Sequence, residues 1–241
     1  MPDLLTPSRR RSVEILDTPG LDPALAIRSL RDVSLANRLF GGTNAVLAEL
    51  GYAFADTKPG DRVLWVDVGS GIGDIPLSAR ALAASRRIAL TSIAVELEPA
   101  LAKAARANAG VAVCANALAL PFADNSVDVV TCSQVLHHFE TDAADLVLRE
   151  MTRVARRRVV VADLRRSWIA MAGLWLGSYL LRFHPVSRHD GLVSIRRGYT
   201  APELSRIVVH ATGRHPRVCL RFGFRVTASW TPRDAINSVP A

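Results

Sequence analysis

The sequence predicts an α/β protein built on a central, mainly parallel sheet. Residues 63–68 form a short run that is β-branched and apolar on both faces, as a strand buried between two helix layers requires. A glycine-rich turn follows it, and a helix is predicted over residues 74–84. The other strand-like runs span residues 90–95, 111–115, 127–131 and 159–162. Helical patterns separate most of these runs, which is typical of this fold class.

The turn after the first strand has a backbone suited to a ligand. Gly69, Gly71 and Gly73 leave it without Cβ atoms at three positions, so it can adopt left-handed dihedral angles and approach a ligand closely. The next helix directs its free N–H groups and the positive end of its dipole to the same place. A nucleoside-containing ligand is expected there. A dinucleotide fingerprint would need Gly or Ala at Asp74, so NAD and FAD are not expected.

Asp67, Gly69, Gly71 and Gly73 match motif I of the class I S-adenosylmethionine-dependent methyltransferases, Asp/Glu-x-Gly-x-Gly-x-Gly. The chain resembles this family, in its small-molecule type, from about residue 62 to residue 163. On this resemblance, the family's ribose-binding acid falls on Glu96, at the end of the second strand. Taken alone, motif I could also be a tight turn without a ligand. The segments that follow favour the family.

Two later segments extend the resemblance. Residues 116–122 resemble the family's Asp-Ala-x-x-Leu-Pro-Phe segment, in which the first residue binds the adenine amino group; Asn116 keeps a carbonyl acceptor there but loses the charge. Residues 133–139 resemble the segment after the fourth strand of small-molecule members. The resemblance implies S-adenosylmethionine as cofactor and no metal ion. The expected cofactor-binding residues are Asp67, Gly69, Ser70, Gly71, Gly73, Glu96, Leu97, Asn116, Ala117, Ser133 and Arg38.

The resemblance also implies the architecture, a Rossmann-like, doubly wound sheet of seven strands with the last strand antiparallel. At 241 residues the chain can bury one such core with appendages. The expected parts are an N-terminal helical lid (1–60), the cofactor-binding core (61–164), a substrate-side helical insertion after strand 5 (165–200), and a C-terminal helix and hairpin that complete the sheet (201–241).

The predicted lid is a helical segment over residues 22–50, broken at Gly41-Gly42 and followed by a loop over 51–61. In similar methyltransferases such a segment folds over the cofactor, so Asn37, Arg38 and Phe40 are its expected contacts. The alternative is a helix packed on the flank of the sheet.

Residues 168–181 of the insertion are almost entirely apolar, with arginines on both sides. As a helix they span about 21 Å, too short to cross a bilayer. They can be core, line an acceptor pocket, dock a partner such as a second copy, or rest on a membrane surface or a lipid-like substrate. We expect them to line the acceptor pocket. Residues 188–199 are predicted to form a loop, which is either a wall of the acceptor pocket or a solvated basic loop.

The catalytic residues are expected at the carboxyl edge of the sheet. Methyl transfer requires alignment, and an oxygen or carbon acceptor also requires a base with a pKa near neutrality. His137 and His138 follow the fourth strand, and Asp163 ends the fifth. His137 oriented by Asp163 is the expected base, and His189 is its rival. Structural roles for both histidines of the 137–138 pair are the alternative.

Charge and composition narrow the function. Residues 151–230 hold 15 arginines against three acidic residues, but no aromatic residues interleave along a basic strand, so no nucleic-acid partner is expected. The motif Asn/Asp-Pro-Pro-Tyr/Phe of amide-methylating enzymes is absent. Residues 1–17 show no secretory signal, and Cys114, Cys132 and Cys219 are expected as buried, reduced thiols of a cytoplasmic protein.

The expected function is therefore methylation of a hydroxyl, phenolic or similar, on a small hydrophobic acceptor, with C-methylation as a variant. A non-catalytic cofactor-binding or scaffold protein with the same fold is the alternative.

Overall fold

The computed structural model describes residues 5–232 except residues 11 and 19. The strands are β1 Arg62–Val68, β2 Ala89–Glu96, β3 Val111–Cys114, β4 Val127–Ser133, β5 Ala155–Leu164, β6 Arg217–Arg221 and β7 Arg225–Trp230. The helices are α1 Pro23–Leu39, α2 Gly42–Ala53, α3 Asp74–Ser85, α4 Pro99–Ala109, α5 Thr141–Val154, α6 Trp168–Leu180, α7 Pro185–Arg197 and α8 Ala201–Thr212. Parts of the predicted N-terminal lid (1–4, 11 and 19) and C-terminal segment (233–241) lie outside the described residues.

The seven strands form one sheet in the order β3-β2-β1-β4-β5-β7-β6. β7 runs antiparallel to β5, and β6 antiparallel to β7. The predicted seven-stranded α/β sheet with an antiparallel last strand is therefore confirmed. The strand order reverses between β1 and β4, and ligands of open α/β sheets bind at the carboxyl ends of the strands beside such a reversal.

Helices cover both faces of the sheet. Side chains of β1 alternate between the faces: Val63 and Trp65 pack in the core under α2 and α3, whereas Val66 and Val68 pack in the core under α5 and α8. Burial of β1 on both sides explains its continuous apolar sequence.

Two loop predictions are wrong. α2 continues to Ala53, so the connecting loop begins three residues later than expected. The predicted loop over 188–199 is mostly helix α7, which begins with Pro185 after the cap His184. The sequence pattern does not predict this helix, because its buried residues include Ser187, Asp190 and Arg197 and so show no apolar periodicity.

All three cysteines are free thiols, as expected, but only Cys132 is buried. Cys219 is partly buried, and Cys114 is exposed at the end of β3, which contradicts the expected burial. None of the described helices is long and apolar enough to cross a membrane.

Glu49 of α2 anchors the β6–β7 hairpin. Its fully buried carboxylate accepts hydrogen bonds from Arg217, Arg221 and the Thr227 hydroxyl. Burial alone would raise the pKa of Glu49, but these donors lower it below 4.5. The charged carboxylate therefore stabilises the fold above its unfolded-state pKa, and this contribution is lost as the pH falls through the folded-state pKa.

We predict that Glu49→Gln lowers the free energy of unfolding by about 2–3 kcal/mol at pH 7, less than the ~3–5 kcal/mol of a fully buried pair because both arginines are partly exposed. Urea unfolding measures this. The difference from wild type should shrink below pH 4.5. Glu98→Gln at an exposed position is the control, and an equal loss in both variants would contradict the role of Glu49.

Candidate active site

A cavity of about 830 Å³ opens at the carboxyl edge of the sheet. Its floor is the turn after β1 with the ends of β2 and β4, and its walls are α1, α6, α7, the β6–β7 turn and the N-terminal segment. Its size lies in the range of cofactor and ligand pockets.

The three glycines of the turn all have positive φ but serve different purposes. A Cβ at Gly69 would collide with Val135, and one at Gly73 would lie 2.9 Å from the carbonyl oxygen of Ala105, so packing requires these two glycines. A Cβ at Gly71 would meet only Leu30, at 3.6 Å, so this position faces the cavity. Gly71 is therefore the glycine whose missing side chain leaves space for a ligand.

Asp67 lies beneath the cavity and does not line it. Its buried carboxylate accepts hydrogen bonds from the hydroxyls of Ser70, at 2.9 Å, and Thr131, at 2.6 Å. Burial raises the pKa of Asp67 to about 7. The carboxylate fixes the turn to β4, and Ser70 comes from that turn to line the cavity.

The predicted adenosine-side residues meet on one wall. Glu96, Leu97, Asn116 and Ala117 all line the cavity. The Glu96 carboxylate accepts a hydrogen bond from the Gly71 backbone N–H, and burial raises its pKa to about 7. The Asn116 side-chain oxygen accepts from the backbone N–H of Leu118 at 2.9 Å, which fixes its orientation.

Ser133 also lines the cavity, but the predicted lid contact Arg38 does not: its side chain is exposed. The neighbouring Asn37 is buried and lines the cavity together with Phe40, as expected for both. Arg38 lies on the solvent side of α1, so we do not retain it as a cofactor contact.

Sequence reasoning missed a polar group on the lid side. The Asn37 side chain accepts a hydrogen bond from Gln134, which has a positive φ of 56°, and Asn37 with Ser34 also interacts with Asp74. Burial raises the pKa of Asp74, and its Oδ2 atom is buried without a hydrogen-bond partner among the described residues. No local pattern signals a contact between residues 97 positions apart, such as Asn37 and Gln134.

The predicted Asp–His pair is present. The Nδ1 atom of His137 lies 2.6 Å from Asp163 Oδ1, and Asp163 also accepts from the backbone N–H groups of His137 and Leu164. The His137 Nε2 atom points to Glu14, 3.6 Å away. Burial lowers the pKa of His137, but Asp163 and Glu14 together raise it to about 9. His137 is therefore mostly protonated at pH 7 in this arrangement.

Glu14 belongs to an N-terminal segment that α7 holds over the cavity. The backbone N–H groups of Ile15 and Leu16 donate to Asp190, and Arg197 forms ion pairs with Glu14, at 3.2 Å, and Asp17, at 2.7 Å. Burial raises the pKa of Glu14, but its two histidine neighbours lower it overall. No sequence pattern signals this wall, because the residues of the segment lie more than 170 positions from their partners on α7.

The two remaining histidine candidates differ in position. The His138 ring stacks on His137 at 4.3 Å, its Nδ1 lies 2.8 Å from Asp17, and it lines the cavity. His189 does not line the cavity: its side chain is 53% exposed and lies beside Asp190. His189 faces outward from α7, so it cannot contact a methyl acceptor bound in the cavity, and we do not retain it as a rival base.

Helix α6 forms one wall of the cavity, through Ile169, Ala170, Gly173 and Leu174. Ser178 is its one buried residue, so α6 is not part of the hydrophobic core. Its opposite side, which we call the outer α6 face, consists of exposed Trp168, Trp175, Leu176, Tyr179 and Leu180.

These residues fit a nucleoside cofactor that carries a positive charge. Gly71 leaves room beside the turn, Glu96 offers a carboxylate for a ribose diol, and the unpartnered Asp74 oxygen suits a cation. The fold and the cavity thus define a Rossmann-like α/β protein with a pocket suited to a nucleoside.

Comparison with known proteins identifies a methyltransferase domain within the chain. The family model for a methyltransferase domain matches residues 66–162. The demethylmenaquinone methyltransferase of Corynebacterium efficiens is 30% identical over 132 residues, which are 54% of this chain and 53% of that protein. The corresponding protein of Corynebacterium kroppenstedtii is 28% identical over 149 residues, 61% of each chain. The chain thus spans little more than half the length of these curated relatives.

Solved structures share the fold. A SAM-dependent methyltransferase from Aquifex aeolicus has a TM-score of 0.58 at 19% identity and covers 87% of this chain and 97% of its own. The magnesium protoporphyrin IX methyltransferase of Synechocystis, crystallised with bound SAM, has a TM-score of 0.54 at 14% identity, covering 89% of this chain and 91% of its own. Residues 66–162 of this chain therefore carry a methyltransferase domain. The fold is that of the S-adenosylmethionine-dependent methyltransferases, which supports S-adenosylmethionine as the cofactor.

We predict that Glu96→Ala weakens binding of S-adenosylhomocysteine by about 1.5–3 kcal/mol, the usual contribution of hydrogen bonds to a charged group. Isothermal titration calorimetry measures this. Glu98→Ala, two residues away and exposed, should bind like wild type. Unchanged affinity in Glu96→Ala would show that this carboxylate only supports the turn.

Proposed function

We propose that the chain transfers a methyl group from S-adenosylmethionine to a hydroxyl group of a small, hydrophobic, phenolic acceptor. The observation that carries the proposal is that His137, held from behind by Asp163, lines the same cavity as the glycine turn and the apolar wall of α6. We place this activity in the cytoplasm, as the reduced cysteines favour.

We expect one end of the cavity to bind the cofactor and the other end to bind the acceptor. Glu96, Gly71, Asn116 and Asp74 would hold the cofactor, which supplies a methyl group on positively charged sulfur. Ile169 and Leu174 would pack against the acceptor's apolar body and exclude water.

His137 would manage the acceptor's proton. Its buried Nε2 atom has no hydrogen-bond partner within the described residues and lies 3.6 Å from the Glu14 carboxylate, so an acceptor oxygen that enters beside Glu14 would bond to it. Asp163 fixes the ring and stabilises its charged form. An acceptor that enters between His137 and Glu14 would remove one of the two charges that raise the pKa of His137, which favours a neutral ring that can accept a proton.

A second candidate acceptor follows from the relatives, which are named for demethylmenaquinone. The apolar α6 wall also suits an acceptor of that kind, and a proton-accepting group at His137 would serve a carbon acceptor as well. Methylation of a quinone-like acceptor is therefore the variant to test beside the phenol. A scaffold without catalysis is disfavoured by the position of His137, whose buried Nε2 atom lies at the cavity without a hydrogen-bond partner among the described residues.

We predict that His137→Gln lowers turnover about 10²- to 10⁴-fold without changing cofactor affinity, as loss of a general base does. A panel of phenolic and quinone-like acceptors is incubated with the protein and S-adenosylmethionine, and products are read by mass spectrometry as the gain of one methyl group. His189→Gln is the matched control. Absence of methylated product from wild type with every acceptor would support the scaffold instead.

The pH dependence tests the role of His137 separately. Only the neutral ring accepts a proton, so kcat/KM of wild type should rise with pH, reach half its maximum near the His137 pKa of about 9 and level off above it. Asp163→Asn removes the charge that raises this pKa, so the rise should move to lower pH. An unmoved profile would assign the rise to the acceptor's own ionisation.

We propose an anionic membrane surface as the partner of the outer α6 face, and no nucleic acid. Arg188 stacks on Tyr179 at 4.4 Å and Arg196 lies over Trp168 at 5.7 Å, so cations flank the exposed aromatic rings. Asp190 is the single acidic residue between residues 165 and 202, and it is buried. Two copies would bring like charges together at this face, which disfavours a homodimer through it. Apolar rings bordered by arginines suit the lipid headgroup region.

Sedimentation with vesicles tests this partner. The protein should bind phosphatidylcholine vesicles that contain phosphatidylglycerol, and Leu180→Gln should weaken binding on the order of ten-fold, because Leu180 is 75% exposed on this face. Leu146→Gln on α5, also exposed, is the matched control. Equal binding of both variants, or a dimer in solution that Leu180→Gln dissociates, would contradict a membrane partner.

A further inference from the structure

Arg225, the first residue of β7, lines the cavity but has no acidic partner among the residues that the structure describes. The residue is only 6% exposed, and its Nε atom is buried without a hydrogen bond to any of those residues. Across the described part of the chain, no side chain forms a hydrogen bond or ion pair with its guanidinium. The Asp163 charge favours its protonated form, but that carboxylate is already engaged by His137 and the Leu164 N–H.

The other buried arginines of the described chain are paired. Arg166 forms a two-point contact with Glu203, at 2.8 Å for each oxygen, and Arg197 pairs with Glu14 and Asp17. Both are as buried as Arg225. Burial lowers the pKa of Arg225 to about 10, so the group remains charged at neutral pH. A buried, charged and unpaired group costs several kcal/mol unless a ligand supplies the opposite charge.

A second guanidinium lies on the same wall. Arg165, just after β5, also lines the cavity, and its Nε atom is buried without a partner. Its backbone N–H donates to the carbonyl of Phe224, and its guanidinium lies over the Phe224 ring at 5.1 Å. Since Phe224 directly precedes Arg225, these contacts hold Arg165 against the start of β7. Leu164 and Arg225 are register partners, so these two arginines leave the β5–β7 pair at one place.

We infer that Arg225, with Arg165 beside it, is a carboxylate-binding site inside the cavity. Arginine is the side chain best suited to this ligand, because its planar donors match both carboxylate oxygens. The inference rests on the proposed function, because the carboxylate belongs either to the amino-acid end of the cofactor or to an acidic group on the acceptor. In the second case the acceptor is an aromatic acid, such as a hydroxylated aryl carboxylate.

Binding measurements without methyl transfer test the inference and separate the two sources. Arg225→Gln and the exposed control Arg206→Gln are titrated at pH 7 with S-adenosylhomocysteine and with 5′-methylthioadenosine, which lacks the amino-acid portion. Both variants, saturated with S-adenosylhomocysteine, are then titrated with 1-hydroxy-2-naphthoate and with neutral 1-naphthol. Arg225→Gln should weaken one carboxylate probe roughly 10- to 100-fold and leave its neutral counterpart unchanged.

Which probe is affected identifies the source: S-adenosylhomocysteine if the site holds the cofactor, hydroxynaphthoate if it holds the acceptor. Equal losses for carboxylate and neutral probes, or no loss for either carboxylate, would overturn the inference. The melting temperature of Arg225→Gln should be unchanged or higher, because an unpaired buried charge is removed. Arg225→Lys, which keeps the charge, should retain part of the carboxylate preference and replaces the glutamine variant if that one fails to fold. A protein that passes these tests but methylates no acceptor would refute the proposed function alone.

Discussion

The buried carboxylate of Asp67 is the interaction on which the cavity depends. It joins β1 to β4 at the reversal of strand order and holds Ser70 in the turn. Thr131, its second donor, also accepts a hydrogen bond from the Trp65 indole at 2.9 Å, so the acid is tied to the core beneath the sheet. A turn fixed at its base in this way can expose backbone N–H groups without collapsing into the space a ligand needs.

That role also refines the meaning of motif I in this chain. Asp67 is not a wall of the cavity, and two of the three glycines are required by neighbouring helices and loops instead of by a ligand. Gly71 and Glu96 bear the ligand-facing part of the motif, and they bond to each other through the Gly71 N–H. Most of the motif therefore serves close packing, and only Gly71 exposes its backbone to the cavity.

The part of the site that could be predicted is the part encoded locally. The glycine turn, Glu96, Asn116 and the two histidines all lie at or just after the end of a strand. Parallel topology alone therefore brings them to one edge of the sheet. Long-range partners were not predictable: Glu14 approaches His137 only because Arg197 and Asp190 hold it there. Helix α7 was not predicted for a related reason. Its buried side chains are mostly polar, and their hydrogen-bond partners lie in other segments of the chain.

The wall that carries Glu14 has a consequence for the order in which the protein assembles. Glu14 is made 183 residues before Arg197, so the chain between them must already be compact before their contact forms. Closing so long a loop costs entropy that only the folded sheet can offset. The strands that carry the cofactor wall and the His137–Asp163 pair lie close together in the chain and can form first, whereas the Glu14 contact with His137 requires the later long-range closure. An incompletely folded chain would hold the His137–Asp163 pair without its Glu14 neighbour.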